Sequence, residues 1–149
     1  MRRITRTLVP VLAIVALLVV SASPAFAMGR NLVGTWDAVA TFDGGGEAPF
    51  LASYNRGGVW TSSGSSAGAS AAHGAWERVG PGQYSTKSKI FFYDANGNLS
   101  AIGESQSEIQ ISQDGESYTG TFEATISLPD GTVVATNTGT ESATRITVD

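Results

Sequence analysis

From Leu32 onward the chain is divided into short pieces by glycine-bearing turns, and this punctuation restricts the fold more than any other feature. Asp43-Gly44-Gly45-Gly46, Asn55-Arg56-Gly57-Gly58, Gly80-Pro81-Gly82, Asp94-Ala95-Asn96-Gly97, Gln113-Asp114-Gly115 and Pro129-Asp130-Gly131 follow one another along the chain. Asn-Gly and Asp-Gly supply the positive φ that tight hairpins need. The intervening runs are rich in Thr, Val, Ile, Phe, Tyr and Trp and lack helical periodicity. They predict eight strands, over residues 32–42, 50–55, 59–63, 73–79, 83–93, 98–111, 118–128 and 132–146. Residues 62–72 contain only Ser, Gly and Ala, which predicts a mobile loop, or a weak strand end followed by a loop.

Hairpins joining consecutive strands give a meander. The expected architecture is a single all-β domain, an antiparallel up-and-down barrel of about eight strands, with a β-sandwich as the alternative. The last four strands are long and would leave long unpaired edges in an open sheet, and closure removes them. The chain has no cysteine, so burial alone must hold the fold together.

Alternation sorts the faces. Tyr84, Thr86, Ser88, Ile90 and Phe92 lie opposite Lys87 and Lys89. Ala101, Gly103, Ser105, Ser107 and Ile109 lie opposite Glu104, Gln106, Glu108 and Gln110. Tyr118, Gly120, Phe122 and Ala124 lie opposite Thr119, Thr121 and Glu123. The charged faces belong outside. The inner face is then apolar at the strand ends and small or hydroxylated between them, which leaves room for a ligand or for aromatics from the opposite wall. On this reading no ionisable side chain points inward.

The N-terminus reads as an export signal. Arg2, Arg3 and Arg6 precede an uncharged run, Leu8 to Val20, which is apolar except for Pro10; Ala25-Phe26-Ala27 then provides a cleavage site before Met28. The run is shorter than the roughly 20 residues of a membrane span, and no cysteine follows it to carry a lipid. The expectation is a cleaved signal peptide at 1–27, a barrel domain at 28–149, and a secreted or periplasmic product without a stable membrane anchor. Residues 28–149 hold six Lys and Arg against thirteen Asp and Glu, a net charge of −7. Such a surface repels nucleic acid and anionic lipid.

Chemistry-bearing clusters are few. His73 is the only histidine, so neither a histidine zinc site nor a Cys/His pair can form, and alternation puts His73 outside with Ala75 and Glu77. Glu104 and Glu108 are about 13 Å apart along one strand, too far for a paired acid and base. Asp94-Ala95-Asn96-Gly97-Asn98 lacks the glutamate that completes a calcium loop. No catalytic residue, metal or cofactor is expected. Trp60, Trp76, Tyr84, Ser88, Phe92, Ser105, Ser107 and Phe122 are the candidate lining of an interior pocket for a small hydrophobic or amphipathic molecule. Trp76 repeats a Gly-x-Trp spacing with Gly74 and also suits plain core packing.

Gly34-Thr35-Trp36 opens the first strand, and Arg145 stands near the end of the last. Together with an eight-strand meander, this resembles the lipocalin and calycin superfamily. The resemblance implies that Trp36 closes the floor of the barrel and that Arg145 packs across its indole, tying first strand to last. It further implies a ligand carried inside. The chain carries neither the disulfides nor the Thr-Asp-Tyr type of motif found in many members. Two other readings follow from a barrel of this kind: one that steers a reactive small molecule, similar to allene oxide cyclase and dirigent barrels, and a non-catalytic surface or structural protein.

Overall fold

A computed structural model describes residues 31–148; the expected signal peptide and its cleavage site lie outside the described residues. Eight strands follow in order: β1 (Gly34–Phe42), β2 (Glu47–Asn55), β3 (Val59–Gly64), β4 (Ala72–Gly80), β5 (Gln83–Tyr93), β6 (Leu99–Ile111), β7 (Ser117–Ser127) and β8 (Val133–Arg145). Each pairs antiparallel with the next, and β8 returns to β1, closing an up-and-down barrel. The sandwich alternative is therefore set aside. The structure begins β2 three residues earlier than expected, at Glu47, because Ala48 and Pro49 continue the pairing opposite Ala40 and Val39.

The turns work as their sequences indicate. Asp94 Oδ1 accepts from the backbone N–H of Asn96 and Asn98. Asp114 does the same for Glu116, and Asp130 for Thr132. These hydrogen bonds, with the Ser112 hydroxyl as the largest influence on Asp114, hold all three carboxyls below their ordinary range. Within the 62–72 segment, a lone bridge joins Ala69 to Phe92.

The closing seam runs Trp36↔Arg145, Ala38↔Ala143, Ala40↔Glu141 and Phe42↔Gly139. Arg145 Cζ lies 4.2 Å from the Trp36 ring centroid, a stacking contact worth roughly 0.5–2 kcal/mol. Its Nε, Nη1 and Nη2 donate to the carbonyls of Gly115, Val33 and Asn31 at 2.8, 2.8 and 2.7 Å. One guanidinium thus gathers three chain segments beneath the barrel. Gly34 permits this arrangement. Its φ is +139°, and a Cβ there would come within 2.6 Å of Arg145 Nη1. The Gly-x-Trp spacing has a mechanical reason: the glycine clears the path of the arginine that covers the tryptophan.

Above that layer the aromatics form a plug. Trp36 meets Tyr118 edge-on at 5.0 Å, Tyr54 stacks with Trp60 at 5.7 Å and touches both Trp76 and Tyr118 at 6.3 Å, and Trp76 meets Tyr84 at 5.6 Å. Leu32, Ile109, Ile111 and Ala143 fill the gaps, and the Trp36 indole N–H donates to Leu32 O at 2.9 Å. This end of the barrel is a solid core.

Candidate functional site

The inner wall changes character above the plug. Ala38, Ala52, Thr86, Ser88 and Ser107 are buried, while Ala40, Ser62, Ser105, Phe122 and Ala124 are half-buried. Toward the far end the inward residues Ala48, Phe50, Ile90, Phe92, Ala101, Ala135 and Asn137 also remain half-buried. A solid barrel of this size fills its interior with large branched side chains. Here small and hydroxylated residues occupy the middle layer, and at the mouth, the end opposite the plug, Phe50, Ile90, Phe92 and Ile126 stand among small residues.

The pocket candidates divide between these regions. Trp60, Trp76 and Tyr84 belong to the plug. The Trp76 indole N–H is shared between Asn55 O and Val59 O at 3.1 and 3.2 Å. Ser88 and Ser105 face each other across β5 and β6 with their hydroxyls 2.8 Å apart, and Ser107 lies one step deeper. Phe122 packs edge-on against Phe42 at 5.3 Å in the space that Gly139 leaves open, since a Cβ at Gly139 would meet the Phe122 ring at 2.9 Å. Phe92 lies over Gly103 nearer the mouth. His73 is exposed on the outer wall.

One expectation is overturned. An ionisable side chain does point inward: Glu141, on β8, is only 8% exposed. It shares the inward face of Ala143 and Gly139 and sits opposite Gly120 of β7 and Ala40 of β1. Gly120 makes room for it, because a Cβ there would lie 3.3 Å from both Cγ and Oε1 of Glu141. Burial pushes the carboxyl up to about 7, and the Ser107 hydroxyl draws it back part of the way. Tyr54 and Tyr118 are near enough to feel its charge, and burial followed by that charge drives the Tyr54 hydroxyl well above its ordinary value. Tyr118 is raised first by burial and then by Tyr54 and Glu141.

Two polar atoms in this interior, Glu141 Oε1 and Trp60 Nε1, have no hydrogen-bond partner, and the Tyr118 hydroxyl has only its neighbour Tyr54 to interact with. Buried polar groups are nearly always satisfied, so these atoms are exceptions to the packing around them. The signal for Glu141 was available in the sequence. Counting back in twos from Arg145, already assigned to the interior, gives Ala143, Glu141 and Gly139.

The outer wall offers less. Shallow depressions of about 610 and 580 Å³ lie over β6, β7 and β8, lined mainly by outward side chains such as Glu108, Thr119, Thr121, Glu123 and Thr138. Lys89 and Glu104 form an exposed ion pair at 2.8 Å. Among the described residues no group of three His, Asp or Glu side chains is placed to hold a metal.

Fold and site together define a class: a closed eight-stranded antiparallel barrel, plugged by aromatics at one end and lined by small residues and one buried acid above the plug. No protein-family model and no curated protein sequence matches this chain.

Proposed function

We propose that this is an exported, lipocalin-like carrier that takes a small hydrophobic or amphipathic molecule into its barrel through the end opposite Trp36. The supporting observation is the contrast along the barrel axis, from a solid aromatic floor to small, half-buried inner residues. A protein held together only by its core has no structural need for Ala, Gly and Ser at mid-barrel, where branched residues would stabilise it further. The export signal at 1–27 and the acidic mature charge favour a small molecule over nucleic acid as the partner.

Glu141 favours a second reading. A buried acid inside a barrel suits a protein that steers a reactive ligand, as in the comparison with allene oxide cyclase and dirigent barrels. Native mass spectrometry of the chain as it accumulates in its host tests both. A co-purified small molecule of constant mass, lost when Ala40 and Ala124 are enlarged to Leu, is the expected result; a product that differs from the supplied ligand would select the second reading. N-terminal sequencing of the same material checks export, with Met28 as the expected first residue. An empty barrel, together with an unchanged melting temperature across a library of lipids and aromatics, would leave a structural role.

A further inference from the structure

The inner face of β8 carries a charge-bearing group that the chain leaves unmatched. Glu141 is 8% exposed, and its Oε1 has no hydrogen-bond partner. A carboxylate in such surroundings is costly unless a cation faces it. From β8 itself the nearest inward cation is Arg145, four residues away, about 13 Å along the strand, with its three nitrogens committed to backbone carbonyls and its plane to Trp36. From β7 the facing positions are Gly120, Tyr118 and Phe122; from β1, Ala38, Ala40 and Phe42; from β6, Ser107; from β2, Tyr54. None carries positive charge. Lys87 and Lys89 point outward from β5.

What surrounds the acid is aromatic. Tyr54 and Tyr118 flank it from the plug side, and the Phe42–Phe122 pair lies one layer toward the mouth. Ring faces attract cations, more strongly when water is excluded. A negative oxygen without a partner, within a set of aromatic rings, is the complement of an organic ammonium group. The Tyr118 hydroxyl, whose one polar neighbour on the chain besides Glu141 is Tyr54, is a further acceptor for an N–H. Gly120 replaces the side chain that would otherwise fill the space beside Oε1.

We infer that the barrel's ligand is an organic amine, held with its ammonium group against Glu141 and Tyr118 and its apolar body directed past Phe42 and Phe122 toward the mouth. This rests on the interior-binding reading and adds the ligand's chemical class. No bond is made or broken; the contact is an ion pair with cation–π support.

The experiment is isothermal titration of the whole chain with two matched probes, 2-phenylethylamine and 2-phenylethanol, which differ in the charged group. The amine is expected to bind at least tenfold more tightly at pH 8. Glu141→Gln should abolish that preference while leaving the alcohol's affinity within about twofold. Lowering the pH from 8 to 6 should weaken the amine about tenfold in the unaltered chain, as Glu141 takes up its proton. The same pH change should leave the alcohol unaffected. If Glu141→Gln does not fold, the probe comparison and its pH dependence in the unaltered chain decide. Equal binding of the two probes, or an amine preference that survives in Glu141→Gln, overturns the amine assignment and leaves the carrier reading intact. Failure of both probes to bind at millimolar concentration, together with an empty barrel by native mass spectrometry, overturns the carrier reading itself.

Discussion

Arg145 and Glu141 stand four residues apart on one strand and face the same interior, yet the barrel treats them in opposite ways. At the floor, Arg145 has an indole beneath it and a carbonyl for each nitrogen it offers. Two layers up, Glu141 has a glycine opposite, a serine beside it and an oxygen with nothing to bond. A group whose partners are all supplied by the chain is structural. One whose oxygen the chain leaves unmatched is the basis of the amine-binding proposal. The two regions also differ in filling, since large rings interlock below while small residues are interspersed with Phe42 and Phe122 above.

The sharpest way to break this contrast is at the floor. Trp36→Ala removes a fully buried indole and strands the Arg145 guanidinium, which should cost about 4 kcal/mol in urea-induced unfolding. A loss below about 1 kcal/mol would mean that the floor is not the core.

The second test uses acidity. Glu141 has its ordinary value near 4.5 in the unfolded chain and about 7 in the fold, so between those values the folded state holds a proton that the unfolded state has released. Stability from this group therefore falls as pH rises from 4.5 through 7, by about 3 kcal/mol in all. Glu141→Gln should remove that decline, which is read as the difference between the two proteins' unfolding free energies at pH 5 and pH 8. Parallel curves would place the carboxyl in water.

A third test applies one substitution to both regions. Ala143→Leu, within the packed plug, should cost about 2 kcal/mol by overpacking. Ala124→Leu, on the half-buried inner wall above it, should cost less than about 0.5 kcal/mol. Equal costs would mean that the upper barrel is as full as the lower. Smallest of all, Lys89→Ala should leave stability unchanged within about 0.3 kcal/mol, because its ion pair with Glu104 is solvent-exposed.

The floor is plainly legible in the sequence, and the acid above it only by counting from Arg145, for a physical reason. Turn chemistry and strand composition located all eight strands, and Gly34, Trp36 and Arg145 set the closing register. β8 was harder to read. Its outward residues Thr136, Thr138, Thr140 and Ser142 and its inward residues Ala135, Asn137 and Gly139 are all small or polar. Period-two alternation separates faces only where hydrophobicity differs between them. With no contrast along β8, alternation alone does not show which way its glutamate faces. Trp60, Trp76 and Tyr84 are ambiguous from the other side: their type suits either a pocket or a core, and the three-dimensional ring contacts place them in the plug.

The seam between β1 and β8 has a consequence for how the protein comes into being. Its partners are separated by nearly the whole length of the domain, Trp36 meeting Arg145, so a growing chain can form its hairpins one after another while the cylinder stays unzipped. The decisive stitch waits for the final residues to arrive. Contacts so distant in sequence are slow to form because the intervening loop must be closed first. A molecule fastened last, at its two ends, stays pliable for as long as it is unfinished and becomes rigid in a single late event.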